Sequence, residues 1–272
     1  MRRFDRFVGI DWSGARGERH ASIVVAVAGR GTAAPVIVPP PARHWSRTAV
    51  LDWLRNQRGD VLVGLDAGFG FAAIPGFDGP ARALWGDIDR ICADDPDLGG
   101  HAFVTCHRDI FWMGIADGPR AARAHLRITE RAYADSKQGQ PTSNFVLLGA
   151  SQVGKATLSA MRLLHRLDWP VWPFDPVPLA GPLILEIYAQ AFAAMGGVRG
   201  KLRTRDALDA VLHRLESAPM PTEFAPHFPD HVGDALVSAA GLRAIADQPG
   251  GWSPPGLTPA IAATEGWTFG IV

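Results

Sequence analysis

The stretch that most narrows the fold is residues 60–71, DVLVGLDAGFGF, an almost unbroken apolar run interrupted by an aspartate. A strand covered on both faces reads this way, and sheets covered on both faces are built largely from parallel strands joined by helices. The run therefore predicts an α/β protein. Three shorter runs precede it: RFVGID at 6–11, RHASIVVAVAG at 19–29 and APVIVPP at 34–40, the last closed by prolines. Turn residues separate them, so they predict a meander. SRTAVLDWLRNQRG (46–59) then sets Val50, Leu51, Trp53 and Leu54 at helical spacing between a serine cap and a glycine stop. The opening order is β-β-β-α-β.

After residue 71 the rhythm breaks. Scattered glycine, proline and tryptophan mark residues 68–145 as a helical insertion, with helices near 80–93 and over 120–136. Regular patterning resumes with a helix at 155–167. A strand then starts near 181, carries Glu186 at its centre and runs into a short helix, and further helices cover 203–217 and 230–247. The closing EGWTFGIV reads as a returning strand. With 272 residues and 47% hydrophobic content, the chain can bury one full core, so 1–272 reads as one domain carrying that insertion.

Composition excludes several classes. The 27 basic and 27 acidic residues cancel, which gives no support to a nucleic-acid partner, although a local basic strip is compatible with one. Cys92 and Cys106 have neither disulfide-framework nor zinc spacing and read as semi-buried thiols. No run approaches membrane-span length and the N-terminal apolar stretch is too short for a signal, so a cytoplasmic protein with no membrane partner is expected. Only positions 137, 155 and 201 are lysine, which reads as coding bias in a GC-rich, bacterial genome.

Chemistry enters with the acids. Asp11, Asp66 and Glu186 each lie at or within an apolar run, and Asp234 lies inside the small-residue helix DHVGDALVSAAGLRAIAD. A carboxylate so placed is costly to desolvate unless a cation compensates it. In open α/β sheets the carboxyl ends of different strands converge on one crevice, so acids remote in sequence can meet. Magnesium or manganese takes such oxygen ligands. Asp230 and Asp234 share a helix face with His231 beside them. Each also has a plainer reading: turn residues for Asp11 and Asp66, a structural acid for Glu186, a helix cap for Asp230 and a half-exposed histidine for His231. Asp234, mid-helix among apolar residues, is the hardest to explain that way.

In order, VGIDWSG, VGLDAGFGF, SNFVLLGASQVGKATLSAMRLL, VWPFD, LEIYAQAF, HVGDALVSAAGLRAIA and EGWTFGI resemble the motifs of the family of predicted RNase H-like nucleases, a domain of unknown function. The His-x-x-Asp-Ala step is similar to the last catalytic helix of RuvC-like Holliday-junction resolvases, which share that fold. The resemblance covers most of the chain outside roughly 72–140. It implies a ribonuclease H-like mixed sheet of five strands, ordered 3-2-1-4-5 and flanked by helices. It also implies an acidic metal site at Asp11, Asp66 and Asp234, with Glu186 a fourth candidate; the shared helix face adds Asp230 as a further candidate ligand. One position departs: Ala189 stands where relatives usually carry proline. The activity implied is divalent-metal hydrolysis of phosphodiester bonds, two ions bridged by Asp11 orienting water and stabilising the leaving oxygen. His231 would relay a proton or position the water.

Four residues are candidate substrate contacts. Arg16 and Arg19 follow the first aspartate, Lys155 opens a helix, and Trp12 could stack on a base or sugar. GASQVGKAT (149–157) has the G-x-x-x-x-G-K spacing of a phosphate loop, but Ala156 replaces the required hydroxyl. Its glycines read instead as room for a helix to start against its neighbours. Two rivals remain: an ATP-dependent phosphotransferase of the actin and sugar-kinase type, which needs two sheets or a dimer to form its cleft, and a non-catalytic scaffold for a phosphorylated ligand.

Overall fold

The computed structural model describes residues 3–114, 119–148 and 153–272. β1 (Arg6–Asp11), β2 (Val24–Gly29) and β3 (Val36–Val38) form the meander, followed by α1 (Arg47–Arg55) and β4 (Val61–Asp66). The insertion holds α2 (Ala81–Ile91), α3 (His101–Cys106) and α4 (Ile128–Asp135), with 3-10 turns at Pro96–Leu98 and Arg120–Ala124. Then come α5 (Val153–Arg166), β5 (Val171–Trp172), β6 (Leu183–Glu186), α6 (Ala189–Met195), α7 (Arg205–Arg214), α8 (Asp230–Ile245), α9 (Pro249–Trp252) and α10 (Pro259–Ala263).

One mixed sheet runs β3-β2-β1-β4-β6-β5. β1, β4, β6 and β5 are mutually parallel, whereas β2 is antiparallel to both its neighbours. The sheet has six strands rather than the expected five. The addition is β5, two residues paired to the outer edge of β6, too short to leave a periodic signal. EGWTFGIV does not return as a strand: it follows α10 as irregular chain, and its Phe269 N–H donates to the Glu186 carbonyl (2.8 Å). The helix expected at 120–136 is divided into a 3-10 turn and α4.

Alternation along the central strands divides the core in two. Val8 and Ile10 of β1, with Val61, Val63 and Leu65 of β4, face one core that α1, α2 and α5 cover. Phe7 and Leu62 face the other, built with α6, α7 and α8. α8 is buried at every residue from Gly233 to Leu242, as a helix apolar on all sides must be. Gly9 lets it come so close: a Cβ there would lie 2.5 Å from both the Ala235 carbonyl oxygen and the Ala239 nitrogen. The first turns of α8 thereby lie over the carboxyl ends of β1 and β4.

On the other face, the insertion is fastened by side chains that substitute for backbone pairing. Asp97, at φ 46°, accepts from the backbone N–H groups of Arg47 (3.1 Å) and Thr48 (3.0 Å), supplementing the Ser46 cap of α1. Arg47 in turn donates to the carbonyls of Ser13 (2.9 Å) and Ala15 (2.6 Å), fixing the loop after Asp11. Among the described residues no helix is long and apolar enough to cross a membrane. Cys92 is buried, its thiol pushed up to about 11 by that burial, while Cys106 is exposed rather than semi-buried.

Candidate functional site

β1 and β4 lie side by side, about 4.8 Å apart, with Asp11 directly opposite Asp66 in the parallel register. By alternation both acids belong to the face that carries Phe7, Gly9, Leu62 and Gly64, which is the α8 face. Asp234, 3% exposed in the second turn of α8, meets them there. Burial first, then repulsion from Asp66 and Asp234, drives the Asp11 carboxyl well above the ordinary carboxylate range. Asp66 is raised to about 7 by burial and Asp234, an effect opposed by the Ala189 N–H and Lys201. Burial likewise raises Asp234, with Lys201 opposing.

Two partners of this cluster escaped the sequence. Lys201 Nζ donates to Asp234 Oδ2 at 2.7 Å and stands 3.8 Å from Asp230 Oδ2. The Ala189 N–H donates to Asp66 Oδ2 (3.3 Å), a bond proline could not make. Only composition pointed to Lys201, since lysine is rare among the 27 basic residues. The sequence marks Ala189 only as a departure from proline, and that departure is what leaves its N–H free to donate to Asp66.

Glu186 lines the same cleft and its charge adds to the raising of Asp66, but its carboxylate is already engaged by other partners. Its strand pairs it with Leu65, one residue short of Asp66, so it faces the opposite side of the sheet. There its carboxylate accepts from Arg127 Nη2 (2.5 Å) and Nη1 (2.8 Å), the Phe69 N–H (2.7 Å) and Thr268 Oγ1 (2.5 Å). Arg127 is also paired with Glu130 and donates to the Glu265 carbonyl (3.0 Å). Glu265 itself accepts from the N–H groups of Ala73 (2.9 Å) and Ile128 (2.7 Å). This buried network ties the insertion and C-terminal segment to β6 and occupies the Glu186 carboxylate on the wall of the cleft.

The other expectations fall into three groups. Asp230 begins α8 and does not line the cleft: burial acts to raise its carboxyl, but Lys201 and Arg203 (3.5 Å) hold it below the usual range. His231 stands beside Asp230, Asp234 and Lys201; burial outweighs the carboxylates and lowers its imidazole, so it is neutral at neutral pH. Trp12 is 6% exposed and its indole N–H donates to Ser159 Oγ (2.9 Å), so it is a core residue with one edge on the cleft. Arg19 turns away to the His44 carbonyl (3.4 Å) and does not line the cleft. Arg16 and Lys155 are neighbours, since Lys155 is lowered by burial and then by the charge of Arg16. Gly14, on the cleft wall, packs on the first turn of α5, where a Cβ would lie 2.4 Å from the Ala156 nitrogen. Gly154 packs as tightly on the Asn144 carbonyl (2.5 Å to a Cβ), in keeping with room for helix packing, while Gly149 lies outside the described residues.

Asp11 and Asp66 open into a cleft of about 480 Å³ that Lys201 also lines, while Asp234 lies behind that lining. Asp11 and Asp66 form its floor, Ser13, Gly14, Val153 and Ala156 one wall, and Gln140, Thr142 and Asn144 of the insertion another. The chain's two tyrosines, Tyr133 and Tyr188, pack edge to face on its side, ring centres 5.1 Å apart. Burial, the second tyrosine and the nearby aspartates raise the Tyr188 hydroxyl, which keeps its proton.

Among the described residues, no three His, Cys, Asp or Glu side chains already stand as a ligand set for a metal ion. The donors nevertheless fit a hard divalent cation in kind: three carboxylates repelling one another in a desolvated pocket, with an ammonium already drawn against one of them. No family model, curated protein or solved structure matches the chain.

Proposed function

We propose that this cleft is the active site of a divalent-cation-dependent phosphodiesterase, a nuclease on an RNase H-like sheet. The observation that carries the reading is the register pairing of Asp11 with Asp66 beneath Asp234. The strand order β3-β2-β1-β4, with its antiparallel meander and parallel fourth strand, supports the RNase H-like assignment.

Asp11, Asp66 and Asp234 would hold magnesium or manganese. Bound there, the cation supplies Lewis-acid stabilisation of charge developing on a phosphoryl group. Lys155, packed behind Gly14, and its neighbour Arg16 do not line the cleft, but would add positive charge behind that wall for the substrate phosphate. His231, lowered by burial and near Asp230, Asp234 and Lys201, would accept a proton from water. The tyrosine pair offers an aromatic edge to a base or sugar.

A phosphotransferase of the two-sheet kind is less well supported, because the described residues form one sheet. The deciding experiment incubates the protein with manganese and single-stranded, hybrid and branched nucleic acids, and separately with ATP. Manganese-dependent cleavage that Asp11→Asn and Asp66→Asn abolish supports the nuclease. ATP turnover without cleavage, or cleavage unchanged in both variants, refutes it.

A further inference from the structure

Two cations that face buried acids, Arg127 and Lys201, are held in opposite ways. Arg127 is completely enclosed and engages two glutamates and a carbonyl with a rigid fork. Lys201 enters the aspartate cluster from outside. It belongs neither to the sheet nor to α8 but to the connection between α6 and α7, directly after Gly200 at φ 114°. Its side chain is 42% exposed whereas that of Asp234 is 4% exposed, so a partly solvated lysine meets a buried carboxylate.

The charges around it are unevenly disposed. The ammonium makes its short contact with Asp234 at 2.7 Å, and its field also acts on Asp11 and Asp66. Asp230, at the outer edge, lies 3.8 Å away and is itself partly exposed. An ammonium is a compact point charge on a flexible stem, so moving from Asp234 toward Asp230 and water requires rotation of side-chain bonds only. The inner position is where cluster repulsion is best offset; the outer position keeps the ion paired.

We propose that Lys201 is a tethered counter-cation of the aspartate cluster, seated against Asp234 in the metal-free protein and displaced toward Asp230 when a divalent ion enters. The inference rests on the metal-binding reading above and adds a residue that sets its affinity. A tethered charge competes at high effective concentration, so the site rejects divalent ions that a cluster without Lys201 would take. Lys201 is a positioning residue for the acids, and not a ligand.

The test is calorimetric titration of manganese into the metal-free wild type, Lys201→Met, Lys201→Gln and Asp11→Asn, with thermal midpoints measured in parallel. Lys201→Met and Lys201→Gln should bind manganese about tenfold or more tightly, the scale on which a neighbouring charge shifts the affinity of a carboxylate for a proton. Both should melt lower than wild type without metal and show a larger manganese-induced rise. Two substitutions of different shape guard against a packing defect in either. Equal or weaker binding in both variants, with Asp11→Asn still abolishing it, overturns the tethered-cation role and leaves the metal site standing. No manganese binding by wild type or by either Lys201 variant overturns both readings together.

Discussion

Asp11 and Asp66 occupy the same rung of the β1–β4 ladder, so two carboxylates face one side of the sheet from neighbouring strands. Their repulsion is a standing cost to the metal-free fold, and the isosteric amide removes it. Asp66→Asn is expected to stabilise the metal-free protein at pH 8 by on the order of 1–3 kcal/mol. The same change should abolish the rise in thermal midpoint produced by manganese. A variant that melts lower than wild type at pH 8 would contradict this account of the cluster.

The raised Asp66 carboxyl gives a pH dependence of definite sign. The folded protein retains that proton up to about pH 7, whereas the unfolded chain releases it near the ordinary aspartate value of 3.8. Between these limits the native state binds more protons, so stability falls as pH rises through the window. Urea midpoints at pH 5 and pH 8 should show a decline in wild type and a shallower one in Asp66→Asn. Manganese should oppose the decline, because metal binding requires the deprotonated acids.

Glu186 and Arg127 should behave as structure. Arg127→Met leaves Glu186 and Glu130 buried without their cation and is expected to cost about 3–5 kcal/mol of unfolding free energy. Glu186→Gln should cost less and leave manganese affinity unchanged in calorimetry. Loss of metal binding in folded Glu186→Gln would return Glu186 to the ligand set.

Gly9 holds the site together from beneath. Gly9→Ala places a methyl group within 2.5 Å of α8 backbone atoms, which cannot move without displacing the helix. A loss of about 1–3 kcal/mol or more is expected. Manganese affinity should fall as well, since Asp234 shifts with the helix.

Trp12→Phe removes the indole hydrogen bond to Ser159 and should cost about 1 kcal/mol in a denaturant titration. KM for a cleaved oligonucleotide should stay at the wild-type value. A several-fold rise in KM would restore Trp12 as a substrate contact.

Much of this protein was legible in its sequence. The doubly covered apolar run at 60–71 gave β4, the meander before it gave β1 to β3, and the small-residue pattern of 230–247 gave α8, because burial and period are local properties of the chain. The three aspartates stood out for the same reason: a charge inside an apolar run is visible without coordinates. What those runs could not carry was register. One step along β6 decides that Glu186 lies beside Leu65 and faces Arg127, on the opposite side of the sheet from the aspartates. The tertiary structure alone decided that a lysine from the α6–α7 connection reaches Asp234 and that the Ala189 N–H meets Asp66. Such contacts join segments separated by 33 and 123 positions, and their energy depends on distance in space, which no local pattern of residues records.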